Sequence, residues 1–594
     1  MKELIKKRIS DLRVKMQETG LDAYIIFGTD PHLSEYLPEH WETRSYLSGF
    51  TGSAGIVIVS HEKAALWTDS RYFLQAEEQL TGTDIELVKL RIPGHPEPAE
   101  WLKMNLRQGA NIGTDEWCIS VSQFRTMQKN LNPSGIILKE SGDLLNQIWF
   151  DRPDLPDFPV YEHELRFACT DRKEKIGTIC DELEKSGANM QIITALDDLA
   201  WTFNLRGSDV ECNPVFMAYA CVSRDKTILF IAGQKLSPEM KNKLKTEGIQ
   251  IKAYCDLISF LQELPNTARI LVDPERTSQA ILKNIPERCQ IVEGMSVPCR
   301  LKAIKSEAEI SNIRQAMRKD GVAMLEFLFW LEKSLGQIPV TEYTVVEKLI
   351  EFRAKQPESK GISFYPIVGY KEHGAIVHFH VSEENALTIE KDGFLLFDSG
   401  GQYSDGTTDI TRTIALSELT TRQKTDFTLV LKGMISLTLA KFPVNTRGYH
   451  LDILARKDLW KHGLNYGHGT GHGVGYFLNV HEGPMSIRQE LNDQPIEAGM
   501  VISNEPALYR LGEYGLRTEN LIVCMKDEST EYGNFLSFDT LTLCPIDTKS
   551  IDKNLLNPEE IQWLNDYHIR VFEELAPLVK DELKVFLKEL TTAI

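Results

Sequence analysis

A repetition in the first half of the chain limits its architecture more than any other feature. A helical pattern from about Lys2 to Thr19 is followed by DAYIIFG, which indicates a buried strand, and the same order of elements returns 167 residues later. Identical residues keep this offset at four places: Gly20 and Gly187, Ile25 and Ile192, Ile26 and Ile193, and Asp30 and Asp197. The repetition predicts two related α/β domains in tandem. The alternative is a chance match between generic helix–strand patterns.

Changes in composition suggest where the domains end. The proline-rich stretch DRPDLPDFPV suits neither a helix nor a central strand, so we interpret it as a linker after the first domain. A long helical pattern begins near Arg300, short strands and glycine-rich turns follow from about Gly361, and residues 555–594 return to an amphipathic helical pattern. We therefore predict three domains, which cover residues 1–155, 156–299 and 300–594.

The charge and composition of the chain exclude several classes of function. The 594 residues carry a net charge of −19, which argues against the basic surface that binds nucleic acid or an anionic membrane. The sequence has no run of about eighteen apolar residues, and its N-terminus lacks the apolar segment of a secretion signal, so we expect a cytoplasmic protein. The ten cysteines include no C-x-x-C pair, which predicts small buried side chains rather than disulfides or a thiolate metal site.

The stretch FDSGGQYSDGTTDITRT brings three aspartates close together along the chain. FLLFD indicates a strand that ends at Asp398, TTDITRTIAL indicates a strand that carries Asp409, and SGGQYSDG indicates the loop between them. Neighbouring antiparallel strands would place Asp398 and Asp409 side by side, about 5 Å apart, and like charges at that distance require a cation. Asp405 is explained by its Asp-Gly turn and is left outside the site.

Further candidate ligands follow in the same part of the chain. The segment NYGHGTGHGVGYFLNVHEGP places His468, His472 and His481 among glycines, and neutral imidazole is a common ligand of divalent transition metals. Glu505 and Glu519 have apolar neighbours in strand-like segments, where an ionised carboxylate needs an ion pair or a metal. Each feature alone has a simpler explanation, either a glycine-rich turn or a salt-bridged residue at a sheet edge.

Taken together, four carboxylates and one histidine within about 120 residues predict a dinuclear metal site with hard ligands. Two divalent ions would neutralise the four carboxylates, and ions about 3.5–4 Å apart lower the pKa of a bridging water and polarise a carbonyl. The predicted chemistry is metal-assisted hydrolysis. The motifs H-E-x-x-H, G-x-S-x-G and G-x-G-x-x-G, which would indicate other hydrolases or a dinucleotide site, do not occur in this sequence.

The motifs DSGGQYSDGTTDITRT, GHGTGHGVGYFLNVHEGP, SNEPALY and GLRTEN together resemble those of aminopeptidase P (Xaa-Pro aminopeptidase), a group of pita-bread metallopeptidases, in particular its three-domain cytosolic type. The resemblance extends over the whole chain. It implies an α/β and α+β fold, in which two creatinase-like α/β domains precede a pita-bread catalytic domain of helices over a curved antiparallel sheet. It also implies two divalent metal ions, with manganese as the expected metal and zinc or cobalt as alternatives.

The same resemblance implies roles for single residues. Glu505 would act as general base or proton shuttle in addition to binding metal, and Asp409 and Glu519 would bridge the two ions. The implied metal ligands are Asp398, Asp409, His472, Glu505 and Glu519.

On the substrate side, His378 and His481 match two histidines that stabilise the developing oxyanion or hold the proline end of the substrate. His380, two residues further along the same predicted strand, competes with His378 for this assignment. Arg517 matches an arginine that orients a carboxylate beside the last ligand. His468 is either a further substrate-binding residue or a structural one.

The implied reaction is attack of a metal-bridging hydroxide on the carbonyl that links an N-terminal residue to a following proline. The substrates would be peptides with proline in the second position, and the resemblance also implies a homodimer. One alternative is a prolidase, which has the same fold and ligands but cleaves dipeptides. The other is a catalytically inactive, peptidase-like binding module. Creatinase-like enzymes share the fold but lack these metal ligands.

Overall fold

The structure, a computed structural model, describes residues 2–594 and divides into two compact units. The first unit comprises the residues up to His163 together with Thr170–Cys299. The second comprises Glu164–Cys169 together with Arg300–Ile594. Within residues 2–594, no helix is both long enough and apolar enough to cross a membrane.

The first unit contains two six-stranded sheets with the same order of strands. The first sheet runs in the order Glu86–Lys89, Ala64–Thr68, Ile56–Ser60, Ala23–Ile26, Asn111–Thr114 and Ile137–Glu140. The second runs in the order Ile249–Lys252, Thr227–Ile231, Ala218–Ser223, Met190–Ile193, Arg269–Val272 and Gln290–Glu293. In both sheets the fourth strand pairs antiparallel with the third and parallel with the fifth. Because the two fourth strands begin 167 residues apart, the predicted pair of related α/β domains is confirmed.

Both faces of the first sheet are buried. Along the strand Ile56–Ser60, Val57 and Val59 join the core that contains Ile9 of the N-terminal helix, whereas Ile58 joins the core on the opposite face. This explains why the strands appear in the sequence as continuous apolar runs rather than as alternating patterns. The helices of the unit are Lys2–Glu18, Thr43–Ser48, Phe73–Leu80, Pro98–Asn105, Val121–Leu131, Arg172–Lys185, Leu196–Phe203, Pro238–Thr246, Leu257–Gln262 and Gln279–Lys283. A short strand pair joins Tyr161–Glu162 to Leu205–Arg206.

The second unit is built from antiparallel sheets. Its largest sheet runs in the order Phe442–Pro443, Gly533–Thr540, Asn520–Thr530, Val501–Asn504, Gly471–Gly473 and Glu482–Ile487. Two three-stranded sheets contain Ser359–Ile362, Gly401–Tyr403 and Gly406–Thr407, and Ile367–Tyr370, Phe394–Ser399 and Ile410–Ala415. A hairpin pairs Ala507–Arg510 with Tyr514–Arg517.

Helices of the second unit bury their apolar faces on these sheets in one large and one smaller core. The longest, Glu307–Ser334, begins with a capping box in which the Ser306 side chain accepts a hydrogen bond from the Glu309 amide. The helices are Leu165–Ala168, Glu307–Ser334, Glu342–Ala354, Thr421–Thr438, Gly448–Lys461, Pro558–Leu575 and Asp581–Leu590. A further helix, Val297–Ala303, crosses the predicted domain limit at 299. The predicted α/β and α+β fold class is therefore confirmed, while the domain limits at 155 and 299 stay predictions.

The predicted pairing of the two aspartate strands is wrong in its register. Asp398 lies opposite Thr411 rather than opposite Asp409. The segment predicted as a loop forms a small hairpin of its own, and the strand Ile410–Ala415 starts only after Asp409. Asp409 is consequently the diagonal neighbour of Asp398 on the same face, which still leaves the two carboxylates within reach of each other.

The strand predicted for AIVHFH is also wrong. Residues 376–380 form an irregular turn in which the Phe379 amide donates to the Ile376 carbonyl at 3.1 Å. As a result, His378 and His380 do not lie on one strand face. His378 is half-buried and His380 is exposed.

Candidate active site

Strands of the second unit position the five predicted metal ligands, with the four carboxylates at or next to strand ends. Asp398 is the last residue but one of Phe394–Ser399, and Asp409 directly precedes the neighbouring strand. In the large sheet, His472 is the middle residue of Gly471–Gly473, Glu505 directly follows Val501–Asn504, and Glu519 directly precedes Asn520–Thr530. Residues far apart in the chain are thus presented by adjacent strands.

Two glycines allow the strand that carries His472 to approach its neighbours. A Cβ atom on Gly471 would lie 2.0 Å from the Ser503 carbonyl oxygen, and one on Gly473 would lie 2.2 Å from the Glu482 carbonyl oxygen. Any other residue at either position would push the strands apart. The glycines around His472 in the sequence therefore have a packing role.

The side chains of the five residues converge. His472 Nε2 lies 3.5 Å from Asp409 Oδ2 and 3.5 Å from Glu505 Oε1. One ligand atom from each of Asp409, His472 and Glu519 lies within 4.8 Å of the other two. Asp398 is joined to the group through Arg517, which donates to Asp398 Oδ2 and to the Thr411 hydroxyl, and that hydroxyl donates to Glu519 Oε2 at 2.8 Å.

The cluster has the properties of a cation site. Asp398, Asp409 and Glu519 are buried, yet Asp398 Oδ1 and Glu519 Oε1 find no hydrogen-bond partner among residues 2–594. Buried polar atoms are almost always hydrogen-bonded, so two orphaned carboxylate oxygens in one cluster indicate partners other than protein donors. Four carboxylates and an imidazole are a donor set that divalent metal ions accept. The residues present therefore fit two divalent ions.

Without a cation, the cluster holds protons instead. Burial raises the pKa of Asp398 to about 6 and that of Glu505 to about 7, and it raises the pKa of Glu519 well above its usual value. Burial alone would lower the pKa of His472, but its hydrogen bond to Asp409 and the charge of Glu505 outweigh burial and raise that pKa to about 9. Metal ions would have to displace these protons.

We expect metal removal to destabilise the protein more at high pH than at low pH. The folded metal-free cluster binds protons more tightly than the unfolded chain, whose carboxyls titrate near 4 and whose histidine titrates near 6.5. The resulting stabilisation is complete below those values and is lost as the pH rises through about 6, 7 and 9. The difference in Tm between metal-loaded and chelator-treated protein should therefore grow by several degrees from pH 6 to pH 9. A Tm difference that stays constant from pH 6 to pH 9 would contradict the claim that the metal-free cluster binds protons.

Arg517 joins the cluster to a tyrosine that sequence reasoning missed. Its guanidinium is buried and donates to Asp398 Oδ2 at 2.6 Å and to the Tyr509 hydroxyl at 2.6 Å. The Tyr509 hydroxyl also lies 2.9 Å from His468 Nε2. Burial raises the pKa of Tyr509 to about 12, so the phenol stays protonated. His468 is thus connected to the cluster through Tyr509.

The Tyr509→Phe variant should lose about 10- to 100-fold in kcat/KM, because Arg517 then loses the hydroxyl that holds it in place to orient Asp398. Tyr514→Phe is the matched control. Tyr514 lies on the same hairpin but donates to Asp426, away from the cluster. Steady-state kinetics on both variants would check this. Equal activity of the two variants would exclude a role for Tyr509.

The remaining predicted residues have different surroundings. His481 packs its ring against that of His472 with centroids 4.4 Å apart, so it borders the cluster. Its neighbour Glu482 is buried between Lys302, whose Nζ lies 3.1 Å from Glu482 Oε2, and Lys305, which contacts the other oxygen. His378 lies on the irregular loop described above, and its place at the substrate stays a prediction.

Asp405, predicted to be a turn residue, is buried and forms an ion pair with Lys319 at 2.5 Å. This contact gives it a structural explanation that is independent of any metal.

Comparison with known proteins assigns the chain to a family. Residues 8–148 and 151–309 match models of the creatinase/prolidase N-terminal domain, residues 311–526 match metallopeptidase family M24, and residues 534–594 match the C-terminal region of that family. These matches cover both sheets of the first unit and the whole candidate site.

Whole-length relatives give a narrower assignment. The chain is 38% identical to a probable Xaa-Pro aminopeptidase P from Coprinopsis cinerea, over 99% of this chain and 98% of the relative. It is 37% identical to Xaa-Pro aminopeptidase 1 from Dictyostelium discoideum, over 98% and 94% respectively.

A solved structure agrees with these relatives. The crystal structure of an X-prolyl aminopeptidase from Caenorhabditis elegans, described as a cytosolic enzyme with a di-nuclear active site, superposes with a TM-score of 0.95 at 33% identity and covers 99% of this chain and 100% of its own. The chain therefore belongs to metallopeptidase family M24 and, within it, to the Xaa-Pro aminopeptidases of the aminopeptidase P type.

Proposed function

We propose that this protein removes the N-terminal residue from peptides that have proline in the second position. One observation carries the proposal: five side chains from separate strands converge on a buried cluster in which two carboxylate oxygens lack a protein partner among residues 2–594. In a structural ion-pair network a lysine or arginine contacts such oxygens, as Lys319 contacts Asp405. Because the chain belongs to an aminopeptidase family, we assign peptide hydrolysis at the N-terminus to this cluster.

We assign two divalent ions, with manganese favoured over zinc or cobalt, to the five predicted ligands. Four of the five donors are carboxylates, the ligand type that suits hard ions such as manganese. Bound there, the ions would neutralise the carboxylates, acidify a water molecule and polarise the peptide carbonyl. The ligands are Asp398, Asp409, His472, Glu505 and Glu519.

Glu505 is the residue that moves the proton. It is only partly buried, it accepts a hydrogen bond from Ser503 at 3.2 Å, and it lies beside His472. In the proposed reaction Glu505 takes a proton from the attacking water and gives it to the proline nitrogen as the C–N bond breaks. A pKa raised toward 7 by burial suits a group that must both accept and release a proton near neutral pH.

The other residues either orient a metal ligand or hold the substrate. Arg517 fixes the carboxylate of Asp398, and Tyr509 links Arg517 to His468. We assign His481 and His378 to hydrogen bonds with the developing oxyanion or with the proline end of the peptide. The proline nitrogen carries no hydrogen, so these groups would have to recognise the ring and its carbonyl.

A prolidase activity on dipeptides is the alternative that the same cluster would permit. Whole-length relatives named Xaa-Pro aminopeptidase favour the longer substrates. The test is hydrolysis of Arg-Pro-Pro, Ala-Ala-Ala and Gly-Pro by the metal-loaded enzyme. We expect release of arginine from Arg-Pro-Pro, with the other two cleaved far more slowly. Preferred cleavage of Gly-Pro would indicate a prolidase, and no cleavage of any peptide would indicate a binding module.

Three further assignments belong to this proposal. A cytoplasmic location is supported by the cytosolic C. elegans neighbour. A homodimer is supported by large apolar side chains that the second unit exposes, among them Leu491, Leu511 and Tyr532. The charge of −19 supports the exclusion of nucleic acid and anionic membranes as partners.

A further inference from the structure

Both ends of the loop that carries His378 and His380 are held by a single buried carboxylate. We call residues 371–387 the histidine loop. Glu342, whose side chain has no exposed surface, accepts hydrogen bonds from the amide of Tyr370 at 2.7 Å, just before the loop, and from the amide of Leu387 at 2.8 Å, at its end. The Glu342 amide in turn donates to the Leu387 carbonyl at 3.1 Å. Glu342 therefore closes the base of the histidine loop.

A third donor connects Glu342 to the interior of the loop. His373 Nδ1 lies 2.9 Å from Glu342 Oε2 and 3.1 Å from Oε1. Because a carboxylate only accepts hydrogen bonds, His373 carries a proton on Nδ1. The His373 ring packs on the buried ring of Phe379 with centroids 4.1 Å apart. Phe379 lies between His378 and His380 in the chain, so this contact reaches the residue that separates them.

The base of the loop also packs against the strand that carries Arg517. A Cβ atom on Gly515 would lie 1.6 Å from the Gly374 carbonyl oxygen, and one on Gly374 would lie 3.1 Å from the Gly515 nitrogen. The two backbones can approach this closely because Gly515 has no Cβ atom, while a side chain at Gly374 would make a tight contact. Gly515 precedes Arg517 by two residues in Tyr514–Arg517. The position of the histidine loop is thus tied to the strand that orients Asp398.

Helix capping does not account for Glu342. An acidic residue in the first turn of a helix usually stays exposed and interacts with the helix dipole. Here Thr341 supplies the cap, because its hydroxyl accepts the Thr344 amide at 3.1 Å. All three donors to the Glu342 carboxylate come from outside its helix.

We propose that Glu342 is a positioning residue that, together with His373, holds the histidine loop against the site. The inference rests on the proposed function for the role of His378 at the substrate. The hydrogen bonds themselves do not depend on that role, so loop order and catalysis can be measured separately.

The experiment compares His373→Leu, His373→Asn and Glu342→Gln in the full-length, metal-loaded protein. Leucine keeps the apolar contact with Phe379 but removes the donor, whereas the asparagine amide restores a donor near the position of Nδ1. Hydrogen–deuterium exchange followed by mass spectrometry reports the order of residues 366–390, and kinetics on Arg-Pro-Pro report activity. Leu564→Ala is the control for a general loss of stability, because Leu564 is fully buried in a helix far along the chain.

We expect His373→Leu and Glu342→Gln to raise exchange at least 10-fold in the histidine loop and to lower kcat/KM about 10-fold or more, with metal content unchanged. His373→Asn should restore most of the protection from exchange in the histidine loop and most of kcat/KM. Leu564→Ala should lower Tm while leaving kcat/KM within about twofold of the wild type. Loop exchange equal to wild type in His373→Leu would overturn the proposal, as would an equal loss of activity in Leu564→Ala. If the wild type cleaves no Xaa-Pro peptide, the proposed function fails, while the exchange data still decide whether Glu342 and His373 hold the loop.

Discussion

Replacement of Asp409 with alanine should reduce turnover more than about a thousandfold. Asp409 is buried, its Oδ2 lies 3.5 Å from His472 Nε2, and one of its carboxylate oxygens lies within 4.8 Å of a ligand atom of Glu519. Its removal therefore takes a ligand from the centre of the cluster. Metal ions at such sites supply several kcal/mol of transition-state stabilisation, and each 1.36 kcal/mol corresponds to a factor of ten in rate. Steady-state kinetics with added manganese measure the loss.

The fold should survive this substitution. Asp409 repels Glu519 but also forms a hydrogen bond with His472, so alanine removes one unfavourable and one favourable interaction from the metal-free cluster. We expect metal-free Asp409→Ala to have a Tm close to that of the metal-free wild type. Loss of activity together with unfolding would make the kinetic result uninformative, and this measurement separates the two.

Asp405→Ala is the matched control, four residues away in the same segment. It removes a buried carboxylate that pairs with Lys319 and leaves the cluster intact. This variant should lose stability, because a partly buried lysine is left unpaired. Its turnover per folded molecule should stay close to that of the wild type. If Asp405→Ala were as inactive as Asp409→Ala, the assignment of Asp409 to the metal site and of Asp405 to a structural turn would be wrong.

The Glu505→Gln variant should keep its fold and lose about 10²- to 10⁴-fold in kcat, the range typical for removal of a general acid–base group. Glutamine retains the size of the side chain and an oxygen that can accept from Ser503. It cannot take up a proton from water at neutral pH, so the loss should appear mainly in kcat. Kinetics with saturating manganese would separate this effect from weaker metal binding.

Glu513→Gln serves as the control for Glu505→Gln. Glu513 is exposed at the turn of the neighbouring hairpin and forms an ion pair with Arg422. Exposed ion pairs contribute roughly 0–1 kcal/mol to stability, so this variant should be indistinguishable from the wild type in both stability and kcat. If the kcat of Glu505→Gln lies within about threefold of the wild type, Glu505 has no role in the proton transfer.

Much of the architecture could be predicted from the sequence because strong local patterns agree with the tertiary structure. The strands of the first unit are buried on both faces, so they appear as short apolar runs between glycines, and their repetition reveals the second domain. Asp398 could be placed at a strand end because apolar residues precede it and glycines follow it. Each of these patterns lies within a short segment, and the apolar residues that form it are buried in the folded protein.

Features that depend on register or on distant contacts could not be predicted in this way. The segment after Asp398 folds into its own hairpin, and this shifts Asp409 from the opposite position to the diagonal one. Tyr509 looks in the sequence like an ordinary strand residue, and Glu342 looks like an ordinary acidic residue in a first helical turn. Their importance comes from Arg517 and from the histidine loop, which approach them only in the folded chain.

The structure also explains how a chain tolerates so many buried carboxylates. Each lies at or next to the end of a different strand, so the pairing of these strands fixes its backbone position. Arg517 neutralises Asp398 only in part, since Asp398 Oδ1 has no protein partner among residues 2–594. The remaining charge is the reason to expect metal.

The dinuclear site is tested most directly by the metal content of the purified protein, measured by inductively coupled plasma mass spectrometry after dialysis in manganese buffer. We predict two divalent ions per chain in the wild type and in Asp405→Ala, and clearly fewer than two in Asp409→Ala. A wild-type protein that holds no divalent metal, or an Asp409→Ala variant that still holds two ions, would contradict the claim that these five side chains form a dinuclear site.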